Sequence, residues 1–404
     1  MTTLPRMARG DQVTVAYFVS PSEHFAGIER VVHEVASGLA GEHGDELDVH
    51  VIFSNAFDEP VLRDTPYTQH VLGADRLRTL PRAVRAAVAR IRPDVLVVPQ
   101  VEAAVTVWLA TRGLGNPAFV THLHGNPRVE EGDGTRRTKV AYWLYRHLVG
   151  PRAATVLAVS PSLARAAETL VGCGRPVRYV PNPVRGFGGL QATGSGTSGT
   201  GTTDDGVLRL VCVARLSYQK GQDLLLEALA LARPDLPPVH LSLVGSGDTE
   251  PELRRRCTEL GLDDVVTFEG YATDPVRHLV AADAFVLASR WEGFGVALVE
   301  ALDLGLPLVA TDCEFGPADI ITSPEIGELA APEDPASLAA ALVRLAGRAP
   351  DLARPEAVSA RRAVAAGFSR SEVTASHLSV LREALAHRQP ARRRLAVLPT
   401  RGVR

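Results

Sequence analysis

The chain has 404 residues, which exceeds what one hydrophobic core ordinarily organises and therefore predicts two domains. Its formal net charge of -3 argues against nucleic-acid binding as the main role. No apolar run approaches the roughly 20 residues needed to span a bilayer, and the N-terminus lacks the apolar core of a secretory signal.

Positive charge is concentrated at the C-terminal end, where residues 387–404 hold six arginines and no acidic residue. Such a segment can contact an anionic membrane, but a disordered basic end has the same composition. We therefore expect a cytoplasmic protein and leave peripheral contact with the inner face of the membrane open.

Apolar runs predict two doubly wound α/β domains, each a parallel sheet with helices on both faces. Six strand-like runs separated by helical patterns occupy the first half: 13–19, 49–53, 95–98, 118–121, 156–159 and 177–180. Five more follow in the second half: 208–213, 241–244, 265–268, 284–288 and 308–310.

Residues 186–206, between the two series, are rich in Gly, Ser and Thr and predict a linker. The predicted organisation is a first domain over 1–185, a second over 207–368, a helix over 369–388 that crosses back to the first domain, and a basic tail over 389–404. Because parallel sheets bind ligands at the carboxyl ends of their strands, we expect the active site in the interdomain cleft.

Two loops of the first domain are predicted to line this cleft. The loop after the strand at 13–19 contains Gly27 at the start of a helix, where free amides can meet an anion, with Glu29 in the first turn. The loop after the strand at 118–121 contains His124, although a lone histidine is more often a structural residue.

The segment 136–149 has a helical pattern and combines basic with aromatic residues. Such residues can meet lipid headgroups. An ordinary amphipathic helix whose aromatic rings pack against the sheet has the same pattern, and both interpretations stay open.

The second domain begins with a strand and a loop that contains two cations. Arg215 supplies a planar guanidinium and Lys220 a point charge, which is the arrangement that phosphate recognition needs. Later strands end in glycine turns, one at Gly245 and one at Gly270 followed by Tyr271. The Gly245 turn lacks the third glycine of G-x-G-x-x-G, which weakens a dehydrogenase interpretation.

The stretch S-R-W-E-G-F-G-V-A-L-V-E-A-L, residues 289–302, joins a buried strand to a helix. Gly293, Phe294 and Gly295 form the turn, and the helix begins at Val296. Its first amides lack intrahelical acceptors and lie at the positive end of the helix dipole, so they can receive a phosphate.

Two carboxylates flank this turn. Glu300 lies one helical turn below the free amides among apolar residues, where a carboxylate is unfavourable unless a ligand's hydroxyls donate to it. Glu292 lies in the turn itself, free to reach the same ligand. Either residue alone is an ordinary surface glutamate, but the pair around a glycine turn favours a binding site.

The E-x7-E spacing of Glu292 and Glu300 resembles the signature of the retaining glycosyltransferases of family 4, which have the two-domain GT-B fold. Flanking segments resemble the family as well. The R-L-x-x-x-K-G pattern is present at 215–221, Ala26 replaces the first glycine of G-G-I-E-R-V-V, and Asp319 replaces the glutamate of G-P-x-E-I, whose role we leave open.

The resemblance implies roles for the candidate residues. Glu292 is expected at the hydroxyls of the donor sugar, Glu300 at the ribose, and Gly270 with Tyr271 near the base. His124 with the glycine after it is expected near the donor sugar, while Arg215 and Lys220 bind the diphosphate. The first domain would bind the acceptor and the second domain the donor.

The implied reaction transfers a sugar from a UDP- or GDP-sugar to an acceptor hydroxyl with retention at the anomeric carbon. The acceptor would be a glycan, a lipid-linked saccharide or a small molecule, in the biosynthesis of a glycan or glycoconjugate. We expect no cofactor and no metal, because the sequence has no D-x-D motif and its cysteines, expected to be reduced, lack metal-ligand spacing.

Two alternatives stay open. The same fold serves phosphorylases and enzymes that hydrolyse or epimerise sugar nucleotides. A nucleotide-sugar-binding subunit without activity is a further alternative, against which the complete set of Arg215, Lys220, Glu292 and Glu300 argues.

Overall fold

Thirteen strands form two sheets in the part of the chain that the computed structural model describes, which comprises residues 12–22, 25, 27–74, 78–172, 174, 176–187 and 206–386. All neighbouring strands in both sheets are parallel. Their residues are rich in Val, Leu, Ile and Ala, as expected for strands covered on both faces. The predicted α/β class, with two doubly wound parallel sheets, is confirmed.

The first sheet has the strand order β3-β2-β1-β4-β5-β6-β7. Its strands are β1 (Val13–Val19), β2 (Leu47–Phe53), β3 (Thr68–Val71), β4 (Val95–Pro99), β5 (Ala118–Leu123), β6 (Thr155–Ala158) and β7 (Arg178–Tyr179). The helices between them are α1 (Ile28–His43), α2 (Leu80–Ile91), α3 (Val101–Thr111), α4 (Pro127–Gly132), α5 (Arg136–Leu144) and α6 (Pro161–Leu170).

The second sheet has the order β10-β9-β8-β11-β12-β13. Its strands are β8 (Leu208–Val213), β9 (Val239–Val244), β10 (Val266–Gly270), β11 (Ala284–Leu287), β12 (Leu308–Thr311) and β13 (Gly327–Ala330). The helices are α7 (Gln222–Ala232), α8 (Glu250–Glu259), α9 (Val276–Val280), α10 (Val296–Asp303), α11 (Pro317–Ile320), α12 (Pro335–Gly347), α13 (Ala349–Leu352), α14 (Pro355–Ala366) and α15 (Arg370–Ala386).

The strand order reverses once in each sheet, between β1 and β4 and between β8 and β11. Ligands of doubly wound folds bind in the crevice at such a reversal, beside the carboxyl ends of the strands. The loop that contains Gly27 follows β1, and the loops that contain Arg215 and Glu292 follow β8 and β11. Topology therefore places these candidate loops at the two crevices.

Helix α15 returns to the first domain, where Val373, Leu381 and Ala384 join the apolar core beneath α1. Gly38 of α1 makes this approach close, because a Cβ there would overlap Thr374. Most of the predicted linker, all of the predicted tail and Cys173 lie outside the described residues.

The secondary-structure prediction missed two strands and misjudged one helix. The edge strands β3 and β13 were missed because T-Q-H-V and G-E-L-A are short and partly polar. The predicted helix over 136–149 ends as α5 at Leu144 and continues as a wider π-helical turn, Tyr145–Val149. That turn buries Tyr145, whose hydroxyl lies 2.5 Å from Thr121 Oγ1.

Within the described residues, no helix combines the length and the apolar character that crossing a membrane requires.

Candidate active site

The turn between β11 and α10 contacts the first domain directly. A Cβ at Gly293 would overlap the carbonyl oxygen of His124, so the absence of a side chain permits this approach. Gly295 has a φ of 93°, a left-handed conformation that favours glycine, and it precedes α10 without a side-chain cap. The first amides of α10, at Val296, are therefore available to an anion beside Phe294, which is buried.

Glu292 is buried, at 5% exposure, and it is bonded to Lys220. Lys220 Nζ lies 2.5 Å from Glu292 Oε1, and Ser289 Oγ donates to the same oxygen at 2.7 Å. Glu292 is therefore held in place in its turn by two partners, and its expected contact with a ligand stays a prediction. A carboxylate at this depth needs a cation and a donor, and Lys220 and Ser289 supply them.

Arg215 lies at the same edge of the second sheet as Lys220, but its side chain is in a different environment. Its side chain is exposed and makes no ion pair or hydrogen bond with other described residues. The loop itself is held firmly, because buried Gln222 donates from Nε2 to the Arg215 carbonyl oxygen at 2.9 Å. The guanidinium is thus a free cation on a fixed backbone.

The glycine turns after β9 and β10 lie beside this loop. Gly245 has a φ of 143°, and a Cβ there would overlap the carbonyl oxygen of Ala214. The Gly245 amide in turn donates to the Gly270 carbonyl oxygen at 2.8 Å. Tyr271 follows and is 67% exposed, so an aromatic residue is accessible to solvent at this edge.

Glu300 lies one turn into α10 and is partly buried. Burial raises the pKa of its carboxyl to about 7, against the opposing effects of Arg30 and Arg185. Arg30 belongs to α1 of the first domain, so Glu300 faces the cleft. A carboxyl group with this pKa changes its charge near neutral pH.

His124 follows β5 and lies in a cluster of histidines. Its ring centroid is 4.2 Å from that of His122, which is 5.5 Å from that of His377 in α15. Burial, followed by the charges of the other two histidines, places the pKa of His124 well below its usual range. His124 is therefore neutral at physiological pH, and its Nδ1 has no hydrogen-bond partner among the described residues.

The loop after β1 completes the edge of the first domain. Gly27, with a φ of 54°, is the residue before α1, and as a glycine it has no side chain with which to cap that helix. Glu29 lies in the first turn of α1. The substituted Ala26 is outside the described residues.

Several contacts at the cleft had no signal in the sequence. Asn126 Nδ2 donates to Glu314 Oε2 at 2.9 Å, and the Ser162 amide donates to Asp319 Oδ2 at 3.0 Å. The partners are 188 and 157 residues apart, so no local spacing indicates them. Among the described residues, no group of three or more His, Cys, Asp or Glu is arranged to hold a metal ion.

Two family models match the chain, one in each domain. The model described as Glycosyltransferase Family 4 matches residues 25–185, and the one described as Glycosyl transferases group 1 matches residues 208–348. Both matched ranges contain the loops that form the cleft described above.

Known proteins with similar sequences align over part of their length. The amylovoran biosynthesis glycosyltransferase AmsK of Erwinia amylovora is 32% identical over 170 residues, which cover 40% of this chain and 41% of AmsK. The GtfA subunit of a UDP-N-acetylglucosamine–peptide N-acetylglucosaminyltransferase of Streptococcus gordonii is 34% identical over 120 residues, covering 30% of this chain and 24% of GtfA. The chain thus aligns with less than half of either relative.

Solved structures match over nearly the whole chain. A sucrose-phosphate synthase from Thermosynechococcus elongatus has a TM-score of 0.75 at 20% identity, covering 93% of this chain and 100% of its own. HepE of Anabaena, in complex with UDP and glucose, has a TM-score of 0.70 at 21% identity, covering 92% and 100%. The chain therefore belongs to the group 1 glycosyltransferases of the GT-B fold.

Proposed function

We propose that the protein transfers a sugar from a nucleotide-diphospho-sugar to an acceptor hydroxyl in the cleft between its two sheets. The observation that carries this is the convergence of Arg215, Lys220 and the open N-terminus of α10 beside Glu292 and Glu300. The structures of HepE solved with UDP, with UDP and glucose, and with UDP-glucose support a nucleotide-sugar donor.

Charge stabilisation of the leaving group is the central requirement of this reaction. The diphosphate gains negative charge as the bond to the anomeric carbon breaks. Arg215, Lys220 and the α10 amides are positive groups of the protein itself, and they would stabilise this charge without a bound metal ion. We therefore propose that the enzyme is metal-independent; its turnover should be unchanged by EDTA, and a loss that Mg²⁺ restores would contradict this.

Retention is proposed to follow front-face attack. The acceptor oxygen bonds to the anomeric carbon on the face from which the diphosphate leaves, and a donor phosphate oxygen takes the acceptor's proton. Lys220 and Ser289 hold Oε1 of Glu292 in place. The Glu292 carboxylate would then orient the sugar by accepting hydrogen bonds from the sugar hydroxyls. A glycosyl group trapped covalently on Glu292 would refute this assignment.

The nucleotide is proposed to lie along the second domain. Glu300 would accept hydrogen bonds from the ribose hydroxyls, and the base would lie at the Gly270 turn beside the exposed ring of Tyr271. His124 and the loop with Gly27 and Glu29 would face the sugar and the acceptor from the first domain.

Calorimetry with UDP and GDP is the first test, followed by a screen of donor sugars with and without acceptors. Binding of one nucleoside diphosphate and acceptor-dependent release of it are expected. Free sugar or an epimer without acceptor would indicate a hydrolase or epimerase, and consumption of phosphate a phosphorylase. Binding without any turnover would indicate an inactive subunit.

Contact with a lipid surface is a separate proposal that α5 supports. Val140 and Trp143 are 56% and 55% exposed on this helix. The nearby basic side chains Arg136, Arg137 and Lys139 are exposed as well, which suits anionic headgroups. Sedimentation with phosphatidylglycerol vesicles should capture the protein, and Trp143→Ala should weaken the capture; equal capture by phosphatidylcholine vesicles would contradict the charge argument.

A further inference from the structure

The loop between β12 and α11 contacts both domains at once. Glu314 pairs with Trp291 in an isolated parallel bridge, and its carbonyl oxygen accepts from the Glu292 amide at 3.5 Å. Its carboxylate accepts the 2.9 Å hydrogen bond from Asn126 of the first domain. One residue therefore connects the turn that contains Glu292 with the loop that contains His124.

Asn126 is fixed at both ends of its side chain. It is 1% exposed, and its Oδ1 caps α4 by accepting from the Arg128 amide at 3.0 Å and the Val129 amide at 3.4 Å. Its amide group donates to Glu314, which is also 3.3 Å from Arg128 Nε. Without this acceptor a buried donor would lose its partner, which is unfavourable.

A second contact holds the neighbouring loop of the first domain. Asp319, in α11, accepts from the amide of Ser162 at 3.0 Å and from its hydroxyl, and its other oxygen is 3.8 Å from Arg165. Ser162 lies in the first turn of α6, where a negative charge is favourable. The loops after adjacent strands β5 and β6 are thus both held by one segment of the second domain.

We propose that Glu314 is a positioning residue for sugar transfer, with Asp319 as the second anchor. Through Asn126, Glu314 fixes how the His124 loop and the Glu292 turn, which meet at Gly293, are placed relative to each other. The proposal rests on the proposed function, because this placement matters for turnover only if a sugar binds beside the two loops. Small errors in such placement reduce turnover strongly.

The test compares Glu314→Ala with Glu314→Gln, whose amide oxygen can still accept from Asn126. Glu259→Ala is the matched control. The side chains of Glu259 and Glu314 are 42% and 39% exposed, and each is paired with arginine. Glu314→Ala should lower kcat by about 10- to 100-fold, with nucleoside diphosphate affinity unchanged. Glu314→Gln should stay close to wild type, as should Glu259→Ala.

Amide exchange gives a readout that needs no substrate. The amides of Arg128 and Val129, which the Asn126 side chain caps, should exchange faster in Glu314→Ala than in Glu314→Gln. Equal kcat losses in both variants, a parallel loss of nucleotide affinity, or unchanged exchange would overturn the proposal. If the wild-type protein transfers no sugar, the proposed function fails instead, and the exchange result still reports on the Asn126 contact.

Discussion

Lys220 and Glu292 form an ion pair, with 2.5 Å between Nζ and Oε1. The family resemblance implies that the lysine binds the diphosphate and the glutamate the sugar, and the folded protein joins these two side chains. In the proposed reaction a bound donor would meet both side chains already aligned, because the sugar and the diphosphate are adjacent groups of one substrate. The proposed function therefore places this pair beside the bond to the anomeric carbon that would break.

Replacing Lys220 should affect the reaction more than acceptor binding. Lys220→Ala should lower kcat by about 10²- to 10³-fold, because a cation that stabilises transition-state charge contributes about 3 kcal/mol. The KM of the acceptor should change little. The only other lysine of the sequence, Lys139, provides the control as Lys139→Ala.

Steady-state kinetics at saturating donor would check this prediction. Because the substitution leaves the buried Glu292 carboxylate without a cation, the thermal midpoint should fall, and assays belong well below it. Proportional losses in kcat and acceptor affinity would contradict the role of Lys220.

Arg215→Ala should weaken diphosphate binding without destabilising the fold. Its side chain is exposed and forms no ion pair or hydrogen bond with the residues that the structure describes. A hydrogen bond to a charged group contributes about 1.5–3 kcal/mol. We expect a drop of about 10- to 100-fold in UDP or GDP affinity by calorimetry. Arg233→Ala, at the far end of α7, is the control. An equal loss of affinity in the two variants would indicate that any lost positive charge weakens binding, whatever its position.

Glu300 should make stability depend on pH. Its folded pKa of about 7 exceeds the ordinary value of 4.5. The folded protein thus holds this proton more tightly than the unfolded chain does. Its contribution to the free energy of unfolding falls by at most about 3 kcal/mol as the pH rises from about 4.5 to about 7. Above pH 7 this contribution is constant. Urea unfolding of wild type and Glu300→Gln at pH 5 and pH 8 should show this fall in the wild type alone.

The same group should make nucleotide binding depend on pH in the opposite direction. Only the ionised carboxylate can accept hydrogen bonds from both ribose hydroxyls, so wild-type affinity should rise through pH 7. Glu300→Gln should bind more weakly and show a flat profile. A wild-type affinity that does not change between pH 6 and pH 8 would exclude the ribose contact.

Gly293→Ala should disturb the contact between the domains. The added Cβ would overlap the His124 carbonyl oxygen, so the cleft must open or the turn must shift. We expect a loss of at least about 100-fold in kcat, with a smaller effect on UDP or GDP binding. Gly41→Ala is the matched control, since a Cβ at Gly41 meets no atom within 4 Å. Comparable activity of both variants would show that catalysis does not need this contact.

Local pattern predicted much of the fold and of the candidate loops. The buried strands are continuous apolar runs, and the glycine turn before α10 has strong local signals, so their positions agree with the structure to within a few residues. Polar edge strands such as β3 lack that signal. Their formation depends on an existing neighbour rather than on their own residues.

The contacts that shape the site were not predictable in the same way. The Glu292–Lys220 pair joins residues 72 positions apart, and the Asn126–Glu314 bond joins residues from different domains. Such pairings depend on how two sheets face each other, which no short motif contains. His377 similarly lies in the last described helix but reaches the ring of His122 beneath His124.

The position of α15 has a consequence for how the chain folds as it is made. Its residues complete the core around α1 and place His377 against Tyr17, 360 positions earlier. The first sheet can therefore pair its strands early during translation, but the part of its hydrophobic face that α15 covers stays exposed until residues 370–386 have left the ribosome. The two halves are consequently not separable modules, and a recombinant fragment ending before Arg370 should aggregate when expressed.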